Sequence, residues 1–333
     1  MLNVERRSVS VLHLSPAEMA DFVATDVQLL REEFEVKTFF CENRLRGLPD
    51  AFRILKAVAS TDVNVSWFGY SQAYFAVLFS RMLGKPSIVI LGGFDVSSDE
   101  WPDHMIPRTH EKRLREVLRH ATLLLPISRR IAELASRFTD RPDIRTVPLG
   151  FDSQEFAPQG MKDGSVATIG YIRRDYLERK GLLDFTLAAR ELEETRFFLI
   201  GKPLDDSVAQ LRQVAGPNVV LTGWLNRDDL IARLGRASVY VQASTHEGFG
   251  SALAQAMLCE CVPVVSDKGA LPEVVGDTGI YVTAGKPHNV AEGIRRALES
   301  PELGQRARAR IVNKFDLDRR RKALLATINE VLE

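Results

Sequence analysis

An acid and an amide eight positions apart give this chain its clearest chemical signal. Glu247 opens the run EGFGSALAQ over residues 247–255, and Gln255 closes it. A carboxylate accepts hydrogen bonds from sugar hydroxyls, and an amide oxygen accepts one from a ribose hydroxyl. Free N–H groups at the start of a helix attract phosphate. Ser251 and Ala252 could therefore bind phosphate between the sugar at Glu247 and the ribose at Gln255. The spacing therefore predicts a sugar-nucleotide site.

The elements around this run place Glu247 at the edge of a sheet. Residues 237–242 have the composition of a buried strand, residues 244–250 form a turn with glycines, and residues 252–258 are strong helix formers. A strand, a turn and a helix in this order put the turn at the carboxyl end of the strand. Open α/β sheets bind their ligands at that edge, so the expected fold and the expected site agree.

Short β-rich runs alternate with amphipathic helices along the chain, which is typical of a parallel α/β fold. In the first half the predicted strands are 8–14, 35–40, 63–68, 87–91, 122–126 and 144–147, and the predicted helices include 16–33, 72–83 and 108–120. In the second half the predicted strands are 165–171, 196–200, 219–221, 238–242, 262–265 and 280–282, with helices at 182–192, 303–314 and 319–332. Turn residues and charges interrupt the pattern over 148–164, where we place the linker. The sequence therefore predicts an α/β protein with two Rossmann-like parallel-sheet domains facing across a cleft.

Composition excludes several classes of protein. The 333 residues carry 44 basic and 44 acidic side chains, so no overall positive field favours nucleic acid. The three cysteines disfavour a disulfide framework and favour a reducing cytoplasm. No apolar run approaches the roughly 18 residues of a membrane helix, and residues 1–7 lack the apolar core of a signal peptide. Histidines and cysteines have no zinc-like spacing, so we expect no bound metal.

The chemical signal extends beyond residues 247–255. Arg174 and Lys180 lie in the run RDYLERKG after a predicted strand, VPVV follows at 262–265, and Pro272 and Glu273 come shortly afterwards. The run PLGFD at 148–152 adds a further match, and GGFDV at 92–96 and LPIS at 125–128 add weaker ones. Together these residues resemble family-4 retaining glycosyltransferases of the GT-B fold (glycosyl transferases group 1). The resemblance covers the chain from Ser87 onwards and is more specific in its second half.

The resemblance implies a division of labour between the domains. Residues 1–155 would form an acceptor-side domain, completed by a returning helix at 317–333, and residues 156–316 would bind the nucleotide-sugar donor. The implied reaction moves a sugar from a nucleotide diphosphate to a hydroxyl with retention of configuration, without a metal or a tightly bound cofactor. The nucleotide sugar is then a co-substrate, and the acceptor is a glycan, a lipid-linked molecule or a small molecule.

Three residues are implied to act on the donor directly. Arg174 and Lys180 would stabilise the negative charge that develops on the leaving diphosphate. Glu247 would contact hydroxyls of the donor sugar rather than act as a nucleophile. Both features have a simpler interpretation, because the cations also suit a solvated basic loop and Glu247 also suits a turn cap. Arg173 is the alternative to Arg174, since a one-residue shift exchanges their faces.

Further residues are implied to hold the donor or the acceptor. Gly223, Trp224 and Leu225 follow a predicted strand and would present backbone groups to the nucleotide base, although Trp224 equally suits a core. Asp95 follows an apolar strand and would bind the acceptor or activate its hydroxyl, or else cap a turn. The donor-binding set comprises Arg173, Gly223, Trp224, Leu225, Phe249, Gly250, Ser251, Ala252 and Gln255, and the acceptor-side set comprises Asp95 and Ser15.

Two basic stretches, 44–53 and 306–322, leave two interpretations open. They could hold the protein against the inner face of an anionic membrane, where lipid-linked acceptors reside. Acidic and apolar residues are interleaved with the basic ones, so both stretches equally suit solvated helix faces.

The chain leaves the family's pattern in three places, the first of which is the run HLSPA at 13–17, where the family often has a glycine-rich loop after its first strand. The family usually has a second glutamate where this chain has Gln255, so the ribose hydrogen bond loses its charge-assisted part, about 1 kcal/mol. Glu260 stands where the family often has glycine at a helix end, and a left-handed cap would be strained there. Two other hypotheses stay open: a nucleotide-sugar epimerase of the same architecture, and a nucleotide-sugar-binding subunit without activity.

Overall fold

The computed structural model describes residues 7–14, 20–41, 47–97 and 108–333. The chain divides into two compact units, one formed by Met1–Gly150 with Asp318–Glu333 and the other by Phe151–Leu317. Each unit contains one parallel β-sheet covered by helices. The predicted α/β class with two parallel-sheet domains is therefore confirmed.

The first unit is built on a five-stranded parallel sheet of order β2-β1-β3-β4-β5. Its strands are β1 (Ser8–Leu14), β2 (Glu35–Cys41), β3 (Val63–Trp67), β4 (Ser87–Leu91) and β5 (Leu123–Pro126). Its helices before the linker are α1 (Asp21–Arg31), α2 (Leu48–Ala59), α3 (Ser71–Met82), α4 (Arg108–His120) and α5 (Arg129–Ala135). Strands β4 and β5 are buried along their whole length, which explains their nearly continuous apolar sequences.

The strand predicted at 144–147 is wrong. This segment makes only one bridge, between Leu124 and Ile144, although Val147 N also donates a hydrogen bond to the carbonyl of Pro126. Pro142 and Pro148 flank the segment, and a proline has no N–H to donate to a sheet. The run therefore lies along β5 without extending the sheet.

The second unit is built on a six-stranded parallel sheet of order β11-β10-β9-β6-β7-β8. Its strands are β6 (Val166–Ile169), β7 (Phe197–Ile200), β8 (Val219–Gly223), β9 (Val239–Gln242), β10 (Val262–Ser266) and β11 (Ile280–Val282). Its helices are α6 (Arg174–Arg179), α7 (Leu182–Ala188), α8 (Val208–Val214), α9 (Arg227–Arg236), α10 (Ser251–Leu258), α11 (Leu271–Val275), α12 (Pro287–Leu298) and α13 (Glu302–Lys314), with a short 3-10 turn at Ala189–Glu191. Strand β6 pairs with β9, so the loops that follow these two strands leave the same edge of the sheet side by side.

The last helix, α14 (Leu317–Leu332), belongs almost entirely to the first unit. Arg320 is buried and donates to both carboxylate oxygens of Asp26 in α1, at 2.7 and 2.6 Å. The indole of Trp67 at the end of β3 donates to the same carboxylate at 3.1 Å. A buried ion pair with a third hydrogen bond therefore joins α1, β3 and α14 within one core.

Candidate active site

Glu247 lies in the loop between β9 and α10, at the carboxyl edge of the second sheet. Its backbone is fixed by the neighbouring loop, because Ala270 N donates to the Glu247 carbonyl at 2.9 Å. Gly269 has a φ of +58°, and a Cβ there would lie 2.3 Å from the Glu247 carbonyl oxygen. Only glycine permits this close approach of the two loops. The carboxylate is thus presented by a fixed backbone.

Lys180 approaches the same carboxylate from the loop after β6. It caps the carboxyl end of α6 and precedes Gly181, whose φ is +68°. A Cβ on Gly181 would lie 2.6 Å from the carbonyl oxygen of Ala243. This contact brings the end of α6 onto the end of β9. The Lys180 Nζ then lies 2.6 Å from Glu247 Oε2, and about a fifth of the lysine side chain (21%) is exposed.

The bonding of the Glu247 carboxylate is uneven. Both Lys180 Nζ and Gln242 Nε2 donate to Oε2, each at 2.6 Å. Across the described part of the chain, Oε1 accepts no hydrogen bond. Burial on its own would raise the pKa of Glu247, but the charge and hydrogen bond of Lys180, with a contribution from Arg179, hold that pKa below its ordinary value. The group is an ionised acceptor with one oxygen available to a ligand.

The three arginines near Lys180 occupy different environments. Arg174 is 80% exposed and lies 3.6 Å from Asp206. Arg173 pairs with Asp175 at 2.5 Å, and its guanidinium lies over the ring of Tyr176. Arg179 is buried, and its guanidinium also lies over the Tyr176 ring, 4.0 Å from the ring centroid. Of these three arginines, only Arg179 contributes to the lowered pKa of Glu247. Arg174, which was predicted to stabilise the leaving diphosphate, lies in solvent.

The start of α10 has the geometry expected for an anion site. Gly250 caps the helix with a φ of 99°, and Ser251 and Ala252 in its first turn are half-buried. Gln255 is also half-buried, one turn further on. The ring of Phe249 is different, because it is buried between Phe151 and Phe315 at centroid distances of 5.7 and 5.3 Å. The predicted donor contact from Phe249 is therefore corrected: its side chain belongs to the core, and only its backbone remains for a ligand.

Gly223 ends β8, and Trp224 and Leu225 follow it at the same edge of the sheet. Trp224 is 66% exposed, so the alternative that placed it in the core is wrong. Its indole stacks on Tyr171, which follows β6, with centroids 5.8 Å apart and ring planes 7° apart. The pair bridges the end of β7, where a Cβ on Gly201 would lie only 1.9 Å from the Gly170 carbonyl oxygen. Close glycine packing thus presents an aromatic surface beside the predicted base contacts.

Asp95 does not face a ligand. Its carboxylate is fully buried and accepts from Gly69 N at 2.8 Å and Gly93 N at 2.9 Å. These bonds tie the turn after β3 to the turn after β4. Burial raises the pKa of Asp95 to about 6 although both N–H bonds oppose the rise. The acceptor-side role predicted for Asp95 is therefore replaced by its alternative, a turn clamp, and Ser15 lies outside the described residues.

The C-terminal basic stretch is occupied by bonds within the chain. Arg306 pairs with Asp277 at 2.9 Å, Arg310 donates to the carbonyls of Glu273 and Val274, and Arg320 holds Asp26. Other basic side chains of the stretch are used in the same way, Arg308 on carbonyls, Arg321 on Glu32 and Lys322 on Asp318. Most of the basic side chains of 306–322 are thus bonded within the chain, whereas Lys314 and Arg319 are exposed.

Two residues of the site escaped the sequence reasoning. Gln242 ends the buried strand β9, where a polar residue after apolar neighbours was the available signal. Arg179 is the same residue type as Arg173 and Arg174, so the sequence does not distinguish it from them. Its burial depends on its position at the end of the short helix α6. In the described ranges no three His, Cys, Asp or Glu side chains are grouped to bind a metal ion. None of the described helices has the length and apolar character needed to cross a membrane.

Fold and site together define a class of protein. Residues 166–300 match the family model described as Glycosyl transferases group 1. The predicted resemblance is confirmed. Solved structures of the GT-B fold are similar over almost the whole chain: sucrose-phosphate synthase from Thermosynechococcus elongatus (TM-score 0.80, 16% identity, 98% of this chain and 99% of that one) and Anabaena HepE in complex with UDP (0.82, 17%, 97% and 100%).

Relatives in sequence are mannosyltransferases. The GDP-mannose:cellobiosyl-diphosphopolyprenol alpha-mannosyltransferase of Xanthomonas campestris is 25% identical over 292 residues, 84% of this chain and 73% of that protein. The MMP alpha-(1->4)-mannosyltransferase of Mycolicibacterium hassiacum is 29% identical over 216 residues, 60% and 52% of the two chains. The serotype-specific mannosyltransferase WbdA of Escherichia coli is 38% identical over 82 residues, which are 24% of this chain and only 9% of WbdA.

Proposed function

We propose that this protein is a retaining glycosyltransferase that transfers mannose from GDP-mannose to a hydroxyl acceptor without a metal. The observation that supports it best is the 2.6 Å contact between Lys180 and Glu247 Oε2, which leaves Oε1 without a hydrogen bond from the described residues. An epimerase or a binding subunit has no need of a cation and a carboxylate held together in this way. The mannosyltransferase relatives support the choice of sugar and base.

The proposed donor site combines three parts of the second unit. Glu247 Oε1 accepts a hydrogen bond from a hydroxyl of the donor sugar, and Lys180 lies next to it on the diphosphate. The N–H groups of Ser251 and Ala252, after Gly250, face the phosphates, and Gln255 accepts a ribose hydroxyl. The backbone of Gly223 and Leu225 contacts the base, and the exposed indole of Trp224 offers a stacking surface that suits the two rings of guanine.

The proposed reaction needs stabilisation of one developing charge. The bond between the anomeric carbon and the diphosphate oxygen breaks, the acceptor oxygen bonds to that carbon on the same face, and the acceptor proton passes to the departing diphosphate. Lys180 offsets the negative charge of the leaving group, since it is held at fixed position by Glu247. Arg174, exposed on the same short helix, is the second cation that we assign to the diphosphate, and the buried Arg179 keeps Glu247 ionised.

We propose a lipid-linked glycan as the acceptor. One relative acts on a diphosphopolyprenol-linked cellobiose by its name, which supports a lipid-linked glycan, and a free glycan or a small molecule stays an alternative. A cytoplasmic protein at the inner face of the membrane fits such an acceptor. The buried thiols of Cys259 and Cys261, which form no disulfide, suit that compartment.

Radiolabelled GDP-mannose tests the proposal directly. We expect Lys180→Met and Glu247→Gln each to lower transfer into a polyprenyl-diphosphate glycan by at least about a hundredfold, because each removes one half of the pair. The matched controls Lys314→Met and Glu178→Gln alter exposed residues of the same types and should transfer normally. Near-normal transfer by either site variant would refute the assignment.

The donor measured alone separates the other hypotheses. An epimerase converts the sugar of GDP-mannose without an acceptor, and a binding subunit is stabilised by GDP-mannose but never releases GDP. A thermal-shift series with GDP-, UDP- and ADP-sugars checks the base, because a ligand specific for the folded state raises stability with its concentration. A larger shift with UDP-glucose than with GDP-mannose would overturn the choice of donor while leaving the transferase assignment intact.

A further inference from the structure

Gln242 is a buried amide at the end of a strand of apolar and aromatic residues. It ends β9, whose four residues are all buried, and follows Val239, Tyr240 and Val241. Only 5% of Gln242 is exposed, and its amide oxygen accepts no hydrogen bond from the described residues. A buried amide with an unpaired oxygen lowers stability, whereas an apolar side chain of the same length would fill the same space without that cost. Packing therefore does not explain this residue.

The bonded half of the amide contacts the candidate active site. Gln242 Nε2 donates to Glu247 Oε2 at 2.6 Å, and Lys180 Nζ donates to the same oxygen at 2.6 Å. The two donors come from different elements, since Gln242 ends β9 and Lys180 lies in the loop after α6. Two donors on one oxygen restrict the rotation of the carboxylate and leave the other oxygen, Oε1, open to a ligand.

The two donors differ in what else they can bind. Lys180 is charged and 21% exposed, so a diphosphate competes with Glu247 for its ammonium. Gln242 is neutral and buried, and a phosphate does not reach it. When the ammonium bonds to a diphosphate, the amide is the donor that still holds Oε2. The carboxylate then keeps its orientation while the nucleotide sugar is bound.

We infer that Gln242 is a positioning residue for the donor sugar: it holds Glu247 Oε2 so that Oε1 stays directed at a sugar hydroxyl while Lys180 bonds to the diphosphate. The inference rests on the proposed function, which assigns the sugar to Glu247 and the diphosphate to Lys180. Gln242 is the residue that allows both contacts at the same time. An amide with only a structural role would affect the binding of nucleotide and nucleotide sugar equally.

Calorimetric titration without an acceptor tests the inference, because GDP-mannose and GDP differ by the sugar that Glu247 contacts in the proposal. The variant Gln242→Met keeps the length of the side chain and removes both polar groups. We expect it to bind GDP-mannose about tenfold more weakly than the parent protein and GDP within about twofold of the parent. Normal binding of GDP also shows that the variant is folded.

Gln72 in the first unit provides a matched control. It is another fully buried glutamine whose amide oxygen has no partner within the described ranges, but its Nε2 donates to the backbone carbonyls of Trp67 and Phe68. Gln72→Met should therefore bind both ligands like the parent protein. An equal loss of GDP and GDP-mannose affinity in Gln242→Met, or an unchanged affinity for GDP-mannose, would overturn the inference.

Glu247→Ala distinguishes failure of the inference from failure of the proposed function. If Glu247→Ala weakens GDP-mannose binding relative to GDP and Gln242→Met does not, only the positioning role of Gln242 is wrong. If neither variant changes the affinity for GDP-mannose relative to GDP, the contact between Glu247 and the sugar is wrong, and the role of Gln242 is wrong with it.

The variant Gln242→Glu adds a signature in mannosyl transfer that packing does not produce. It places a second carboxyl against Glu247 Oε2, where the two groups share a proton because both do not ionise at that distance. The protonated carboxyl donates to Oε2 as the amide does, so the variant should work at low pH and fail as pH rises. Its kcat/KM relative to the parent should fall at least about tenfold from about pH 5.5 to about pH 8.5.

The comparison with the parent protein isolates the new carboxyl. The other charged groups that act on Glu247 are Lys180, Arg179 and His246, and both proteins contain them. Their own titration therefore largely cancels in the ratio of the two kcat/KM values. A ratio that stays constant with pH would overturn the inference.

Discussion

Because the Asp95 carboxyl is buried in a turn clamp, we predict that the stability of the first unit depends on pH. Its pKa is about 6 in the folded protein against an ordinary value of 3.8. The folded state therefore binds the proton more tightly than the unfolded state does. The resulting stabilisation is fully present below the ordinary pKa and is lost as pH rises through about 6. The whole difference corresponds to about 3 kcal/mol, of which about 1.4 kcal/mol falls between about pH 5 and about pH 8.

The assay compares the protein with Asp95→Asn, because other groups titrate in the same range. Urea unfolding of the first unit can be followed through Trp67, which is fully buried there, after Trp101→Phe and Trp224→Phe remove the other indoles. Asp95→Asn lowers stability at every pH, since an amide has one acceptor oxygen for two N–H groups. Its disadvantage should shrink by about 1.4 kcal/mol from about pH 5 to about pH 8. A constant difference between the two proteins would refute the buried-clamp interpretation.

Three further outcomes follow from single residues. Glu260 has a φ of 61°, so Glu260→Gly should raise stability by about 1 kcal/mol, measured as a higher Tm. Arg320→Met should cost about 3–5 kcal/mol in urea unfolding because it leaves Asp26 buried without its cation, and adding Asp26→Leu should recover part of the loss. Gln255→Glu should tighten GDP binding by about fivefold in calorimetry if this side chain holds the ribose, and a large loss of affinity would contradict that role.

The strands and helices were predictable because the apolar pattern and the β-branched runs are strong. The left-handed backbone at Glu260, expected from the position where the family has glycine, is confirmed. The segment 144–147 shows the limit of such patterns. Its composition suits a strand, and the N–H groups of Arg145 and Val147 do donate to β5, but the prolines at 142 and 148 have no N–H with which to continue the pairing. Amino-acid composition alone does not show whether such pairing can continue.

The site was predictable in kind but not in every residue. A strand that leads into a turn fixes which edge of the sheet carries Glu247, and a second strand of the same sheet brings Lys180 there across 67 positions of sequence. Which neighbouring arginine faces inward depends on the phase of a six-residue helix. Arg174 and Arg179, at its two ends, point about 140° apart around the helix axis, so that one is exposed and the other is buried. The acceptor-side role predicted for Asp95 failed for another reason. A donor that binds its carboxylate, the Gly69 N–H, lies in a turn 26 residues earlier, which the local sequence does not reveal.

Charge runs are the feature for which sequence and structure differ most, and the reason is where the partners lie. Most arginines of 306–322 have acids or carbonyls as partners, such as Asp26 and Asp277, that are far away in sequence. The run therefore looks like an open basic surface in the sequence, although most of its charges are bonded in the structure. Helix α2 has fewer cations, yet its acid points inward and its exposed neighbours are Leu48 and Phe52. A basic run indicates an interaction surface only when the fold leaves its charges outward and adds apolar area beside them.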